Sequence, residues 1–204
     1  MGLGGLSVSW YLPIMQPFLE AEFHLDALEI GGLLILDGAT FALATPFWGW
    51  ALDSDLLSPP QSLFMGSVCI IIGYSFLGLA SYKISMIGIG MAIKGLGEAS
   101  CILTTYMIML SSSIKSGFVE DNEQTQGILT SIWYCFWSLG GYLGSICCGW
   151  AYDVMGFRNS AFVIIGTQVF GMLSLSVMWM VEHKQRNENN RERGYHLVPD
   201  NETQ

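Results

Sequence analysis

Three ionisable residues stand inside otherwise apolar stretches of the sequence: Asp37, Lys94 and Glu98. A charged side chain at the centre of a bilayer costs about 2.5–3.5 kcal/mol or more, so such groups face a cavity or a partner. Glu98 is the first candidate for function, because a membrane carboxyl group can exchange a proton or bind a cation. Lys94 is four residues earlier and shares its helix face. Two interpretations stay open: the pair takes part in binding, or the two charges only neutralise each other.

Asp37 is the second acidic candidate, and its depth in the membrane decides its role. It follows Ile30 by seven residues in an apolar segment. A deep position predicts a cavity-lining acid that needs a partner, whereas a shallow position leaves it to bind polar backbone near the membrane surface.

Aromatic residues open a later apolar segment as Trp133, Tyr134 and Trp137. Trp133 and Trp137 are four residues apart, so both rings can face one cation. Aromatic faces attract ammonium groups by about 0.5–2 kcal/mol. The alternative is that these rings pack against helices or lie in the aromatic belt of the membrane.

Composition indicates a polytopic all-α membrane protein. Hydrophobic residues make up 51% of the 204 positions and charged residues 12%. A hydrocarbon layer about 30 Å thick needs about 20 apolar residues per helix. Six segments meet this requirement and form a predicted bundle over 1–182, which a disordered cytoplasmic tail follows at 183–204. The predicted spans are 3–19, 30–52, 63–82, 84–112, 125–152 and 160–181.

Charge and cysteine usage exclude several classes of function. With both termini in the cytoplasm, the cytoplasmic side holds Lys115, Lys184, Arg186, Arg191 and Arg193, against Lys83 and Arg158 opposite. These cations form no clustered patch of the kind that binds nucleic acid. The five cysteines lie in apolar runs without nearby histidines, so no metal is expected. Without a nucleophile–base pair or phosphate loop, the sequence predicts neither an enzyme nor a cofactor.

A five-residue pattern occurs twice, as GWALDS at 49–54 and GWAYDV at 149–154. In the predicted topology these copies end the second and fifth spans on opposite sides of the membrane. Equivalent positions that face opposite ways are typical of two inverted three-helix repeats. The alternative is a coincidence of two helix ends. Gly140 and Gly144 form a separate GxxxG spacing, which predicts close helix packing.

Four motifs together resemble the carboxyl-terminal half, helices seven to twelve, of a twelve-helix transporter of the major facilitator superfamily. They are YLPIMQPFL, TPFWGWALD, GLGEASCILTTYMI and FWSLGGYLGSICCGWAYDVMGFRNSAF. The chain is most similar to vesicular amine and polyamine transporters and to proton–drug antiporters. It departs from their pattern at Asp53-Ser54-Asp55, where the family loop carries basic residues, and at Trp133-Tyr134, where amine transporters carry an acid. The first six helices have no counterpart in this sequence.

The resemblance implies secondary active transport, with proton-coupled exchange of organic cations such as amines or polyamines. It implies that Glu98 binds the proton or the cation and that Gly49 and Asp53 belong to a gating loop. The implied partners are the lipid bilayer, protons, a small organic cation and a second six-helix half, which is either an amino-terminal half or a second copy. The alternative is a non-transporting membrane partner or a regulatory half that associates with a full-length transporter.

One tail motif bears on location. GYHLV at 194–198 resembles a tyrosine-based sorting signal, Tyr-x-x-bulky. This resemblance predicts a multi-pass protein of vesicular, endosomal or lysosomal membranes.

Overall fold

The described residues of the computed structural model, 2–54, 56–79, 83–115 and 123–195, are helical almost throughout. No strand occurs within these ranges, and the predicted all-α class is confirmed. The helices are α1 (Gly2–Trp10), α2 (Leu12–Phe23), α3 (Ala27–Asp53), α4 (Pro59–Leu79), α5 (Ile84–Lys115) and α6 (Glu123–Tyr195).

Four helices of the described part are long and apolar enough to cross a membrane: Ala27–Asp53, Pro59–Leu79, Ile84–Ile114 and Glu123–Val177. The predicted first span falls on α1 and α2, which are individually shorter, and the last two predicted spans both fall in α6. The count of six spans therefore stays a prediction. Of the tail for which we predicted disorder, 183–195 is helical in α6 and 196–204 lies outside the described residues.

Proline interrupts the amino-terminal helix between α1 and α2. Pro13 lacks a backbone N–H and cannot donate to the carbonyl of Ser9 four residues earlier. That carbonyl instead accepts a hydrogen bond from the Ser145 hydroxyl at 3.5 Å. The N–H groups of Ile14 and Met15 both donate to the Tyr11 carbonyl, at 3.2 and 2.9 Å. The break therefore holds Tyr11 at the start of α2.

The first section of α6, 123–155, runs in the same direction as α1. A Cβ atom added at Gly140 would lie 2.9 Å from the Gly2 Cα, and one added at Gly144 would lie 2.9 Å from the Leu6 Cα. Residue numbers thus increase together along the contact. The absence of side chains at both α6 positions permits this approach, so the close packing predicted from the GxxxG spacing is confirmed.

The next section of α6 runs the opposite way along α1 and α2. The Trp10 indole N–H donates to the Ser160 carbonyl at 3.2 Å, and the Phe18 ring stacks on Phe157 with centroids 3.8 Å apart. Residue numbers here fall on one helix as they rise on the other. The chain reverses at Gly156, which has φ 76° and ψ 172°. A positive φ of this kind is readily available to glycine.

Helices α4 and α5 form a close antiparallel pair. A Cβ atom at Gly97 would lie 2.5 Å from the Gly66 carbonyl oxygen, and one at Gly73 would lie 2.8 Å from the Gly90 carbonyl oxygen. Backbones approach this closely only where side chains are missing. The pair therefore provides a fixed support for the α5 side chains.

Contacts with α4 give the relative direction of the remaining helices. Gly78 lies beside Ala161, while Tyr74 and Gln168 both contact Ser7, through its carbonyl and its hydroxyl. Helix α4 therefore runs against 157–169 and in the same direction as 123–155. Gly88 of α5 lies beside Leu33 of α3, and Gly95 lies beside Asp37, so α3 runs parallel to α5 and opposite to 123–155.

The two copies of the repeated pattern consequently end helices of opposite direction, as an inverted repeat requires. Their surroundings also match, since positions 41–50 and 141–150 have the same sequence of buried, half-buried and exposed residues. Trp50 and Trp150 are both exposed. This correspondence supports the internal repeat, while the placement of the two ends across a membrane stays a prediction.

The described residues from Phe170 onward belong to a second compact unit, distinct from the one that ends at Val169. In it α6 continues with exposed apolar residues such as Leu173. The hydroxyls of Ser174 and Ser176 donate to the carbonyls four residues earlier, both at 2.9 Å. Both hydroxyls thus have hydrogen-bond acceptors within the helix, although the surrounding surface is apolar.

Candidate functional site

The three charged residues singled out in the sequence meet at one buried point. Lys94 Nζ lies 3.1 Å from Asp37 Oδ2 and forms a second ion pair with Glu98 Oε1. The side chains of Lys94, Asp37 and Glu98 are 0%, 12% and 5% exposed. Helices α3 and α5 therefore contribute to a single charged cluster, in which one ammonium group contacts two carboxyl groups.

Small residues on α5 let α3 approach closely enough for this contact. A Cβ atom at Gly95 would lie 2.5 Å from the Asp37 carbonyl oxygen and 3.1 Å from Asp37 Oδ1. On another side, Gly73 of α4 leaves room for the Lys94 backbone and Cβ, both 2.9 Å from where its own Cβ would lie. Lys94 is thus enclosed between α3 and α4, which come close because α5 carries Gly95 and α4 carries Gly73 at these contacts.

Tyr11 completes the cluster and was not found from the sequence. Its hydroxyl donates to Asp37 Oδ2 at 2.6 Å, and its ring centroid lies 4.4 Å from Lys94 Nζ. A ring face at this distance attracts the ammonium group. Sequence spacing gives no signal for this contact, because the partners are 26 and 83 residues away; the adjacent proline motif marks only the helix break.

The cluster carries more acidic than basic groups. Two carboxyl groups and one ammonium group have a net charge of −1 when all are ionised. Asp37 Oδ1 is, within the described residues, the one fully buried side-chain oxygen or nitrogen without a hydrogen-bond partner. An uncompensated buried charge is costly. The arrangement can therefore accept one further positive charge, as a proton or as a cation.

The predicted aromatic residues lie together at another contact of α5. The buried Trp133 donates its indole N–H to Thr105 Oγ1 at 3.3 Å and stacks on Trp137 with centroids 5.1 Å apart. Tyr134 meets the Trp133 ring edge-on at 5.3 Å and is 59% exposed. Thr105 follows Glu98 by seven residues, which is about two turns or 10 Å along the helix. The faces of Trp133 and Trp137 therefore stack on each other and leave no space between them for a shared cation.

The predicted gating residues lie at the end of α3. Gly49 has open space where a Cβ atom would be, and Asp53 is exposed. The indole N–H of Trp48 donates to the Leu96 carbonyl at 3.0 Å, which ties this end of α3 to α5. Asp55 of the same loop lies outside the described residues.

Comparison with known proteins decides the family. A sequence model of the Major Facilitator Superfamily matches residues 1–200. The chain belongs to this superfamily. The resemblance drawn from the four motifs is thus confirmed, and the chain is an integral, multi-pass membrane protein. Superfamily members are transporters rather than enzymes, so the prediction that this chain is not an enzyme is also confirmed.

Three curated relatives carry the name MFS-type transporter SLC18B1. The human protein is 23% identical over 181 residues, which cover 85% of this chain and 39% of the relative. The rat protein is 25% identical and the mouse protein 23%, each over 154 residues and 73% of this chain. The chain thus spans between a third and two fifths of the length of these relatives.

Proposed function

We propose that this chain forms the cation-handling bundle of a secondary transporter that exchanges protons for small organic cations such as amines or polyamines. The observation that carries the proposal is the buried cluster of Asp37, Lys94 and Glu98, with its excess of one negative charge. The superfamily membership supports transport as the general activity.

Exchange follows from the charge balance of the cluster. With one carboxyl group protonated, the charges of Lys94 and the remaining carboxylate cancel. With the proton released, one ammonium group of an organic cation takes its place and restores neutrality at the cluster. The empty, deprotonated cluster keeps one uncompensated buried charge, which is unfavourable in a low-dielectric environment. Proton and cation therefore exclude each other, and the bundle changes conformation readily only with one of them bound.

Individual residues have distinct proposed roles. Glu98 exchanges the proton, and Asp37 offers Oδ1 as an acceptor for a donor on the cation. Trp133, Tyr134 and Trp137 form an aromatic wall along the same helix, where ring faces favour ammonium groups. Separation of the stacked Trp133 and Trp137 rings would be needed for a cation to enter between them.

The proposed transport cycle needs a second bundle. Alternating access places the substrate between two halves that move against each other. The second half is either an amino-terminal six-helix bundle or another copy of this chain. The end of α3 at Gly49 and Asp53, with the loop that follows it, acts as the gate. The proposed location is a vesicular, endosomal or lysosomal membrane, whose acidic interior supplies the protons.

Proton-driven uptake by liposomes tests this function. The full chain is reconstituted together with a second half, either another copy of this chain or an amino-terminal six-helix bundle, and uptake of radiolabelled spermidine is measured with an acidic interior. We expect uptake to fall by about tenfold or more in Glu98→Gln, because loss of a buried charge changes energies by more than 1.36 kcal/mol. Glu22→Gln, at an exposed position, is the matched control and should keep wild-type uptake.

Two outcomes would contradict the proposal. Equal uptake by the wild type and Glu98→Gln would remove the carboxyl group from the mechanism. The second outcome is that the chain co-purifies with a full-length transporter but adds no uptake, either by itself or in that complex. This result would favour the non-transporting partner instead.

A further inference from the structure

Tyr11 distinguishes two carboxyl groups that otherwise share one cation. Lys94 Nζ contacts both Asp37 and Glu98, so the ammonium group alone does not separate them. The Tyr11 hydroxyl donates to Asp37 Oδ2, the same oxygen that Lys94 contacts. Across the described part of the chain, Glu98 accepts its hydrogen bond from Lys94 alone. The asymmetry between the two acids therefore comes from Tyr11.

We propose that Tyr11 is a positioning residue that keeps Asp37 ionised and thereby directs the exchanged proton to Glu98. This inference rests on the proposed proton–cation exchange and adds the residue that decides which acid is used.

Hydrogen-bond geometry at Asp37 supports this direction. Oδ2 already accepts two donors, which favour the ionised form of a carboxyl group. While both donors stay in place, a proton on Asp37 would sit on Oδ1. That oxygen is buried and has no partner, so an O–H there would find no acceptor. Protonation of Asp37 would both weaken two hydrogen bonds and leave a buried donor unsatisfied.

The position of Tyr11 makes its hydroxyl a fixed donor. Tyr11 is 4% exposed and lies at the break between α1 and α2, where its carbonyl accepts the N–H groups of Ile14 and Met15. Its ring face also contacts the Lys94 ammonium group at 4.4 Å. The side chain thus contacts both members of the Asp37–Lys94 ion pair, and the hydrogen bonds to the Tyr11 carbonyl hold its backbone in place.

Other titratable groups around the two acids do not reproduce this effect. Tyr74 of α4 is also buried, but its hydroxyl donates to the Ser7 carbonyl rather than to either acid. Cys101 follows Glu98 on α5, and its thiol contacts the Ser67 hydroxyl at 3.9 Å. An unperturbed phenol or thiol is neutral near pH 7, so neither adds a charge. Tyr74 therefore provides a matched control, as a buried tyrosine whose hydroxyl bonds a carbonyl rather than a carboxylate.

Isotope-edited infrared spectroscopy locates the proton directly. The full chain is purified with ¹³C-carboxyl label in either Asp or Glu, and the C=O stretching band of protonated carboxyl groups is recorded while spermidine is added at neutral pH. In the wild type, the band that spermidine removes should shift with the Glu label and be absent in Glu98→Gln. In Tyr11→Phe, which keeps the ring over Lys94, we expect a part of the band to shift with the Asp label.

The size of the effect is set by one hydrogen bond to a charged group. The ratio of Asp37 to Glu98 protonation should rise about tenfold or more in Tyr11→Phe, and tenfold corresponds to 1.36 kcal/mol. Tyr74→Phe should leave the band on the Glu label. Circular dichroism and thermal unfolding in detergent verify that both variants are folded.

The possible failures are distinguishable. A spermidine-sensitive band that stays on the Glu label in Tyr11→Phe would overturn the role of Tyr11 and leave the proposed exchange intact. A wild-type chain with no spermidine-sensitive carboxyl band would overturn the exchange itself. An equal shift in Tyr74→Phe would mean that any loss of a buried hydroxyl moves the proton, which also contradicts the specific role of Tyr11.

Discussion

Gly95 lies directly against Asp37 at the contact between α5 and α3. A Cβ atom at Gly95 would be 2.5 Å from the Asp37 carbonyl oxygen and 3.1 Å from Oδ1, and it would also collide with the Thr40 hydroxyl. The carboxyl group of Asp37 reaches Lys94 because this position carries no side chain. The charged cluster thus depends on a glycine that bears no charge itself.

Substitution of this glycine should therefore separate the two helices. We expect Gly95→Ala to lower the free energy of unfolding by about 1–3 kcal/mol, the usual cost of overpacking a filled interface. Gly49→Ala is the matched control on an open helix surface, where alanine should stabilise the helix by about 0.5–1 kcal/mol. Thermal unfolding in detergent measures both changes. Equal effects of the two substitutions would refute the close contact.

Removal of the ammonium group should destabilise the bundle more than removal of one carboxylate. Lys94→Met leaves two buried acids without a cation, and breaking a buried pair in this way costs about 3–5 kcal/mol. Glu98→Gln leaves the Lys94–Asp37 pair neutral and should cost less. Lys83→Met, at an exposed lysine, is the control. Denaturation of the purified variants tests the order, and greater stability of Lys94→Met than Glu98→Gln would contradict it.

The aromatic wall should contribute to cation affinity. Loss of one ring face in Trp137→Leu removes about 0.5–2 kcal/mol, which weakens spermidine binding by about 2- to 30-fold. Trp150→Leu, at a tryptophan that is 66% exposed, serves as the control. Equilibrium binding to the purified chain provides the measurement. Unchanged affinity in Trp137→Leu would assign Trp133 and Trp137 to helix packing alone.

The sequence allowed only part of the cluster to be predicted. Residues four apart share a helix face, so the proximity of Lys94 and Glu98 follows from local geometry. The depth of Asp37 depends on how α3 sits against α5, and this contact is set by Gly95, which looks like any other glycine in an apolar run. Tyr11 reaches both partners through tertiary packing at a proline break, and no local pattern contains that information.

The helix pattern was predictable to a similar extent. Long apolar runs predicted α3, α4 and α5 within a few residues, because a membrane-spanning helix needs about 20 apolar residues in succession. The reversal at Gly156 falls in the polar connection expected between two spans, although the helical hydrogen bonding continues on both sides of it. The repeated Gly-Trp-Ala-x-Asp pattern predicted that α3 and 123–155 are equivalent helices. Only the packed structure shows that positions 41–50 and 141–150 also share one pattern of exposure.

Proton release on cation binding distinguishes proton–cation exchange at this cluster from simple cation binding. The purified chain in weakly buffered detergent solution is titrated with spermidine near neutral pH, and released protons are counted with a pH indicator. The charge balance of Asp37, Lys94 and Glu98 predicts release of up to one proton per bound cation in the wild type and none in Glu98→Gln. Saturable binding of spermidine with no proton release, or with the same release in Glu98→Gln, would contradict proton–cation exchange at Glu98.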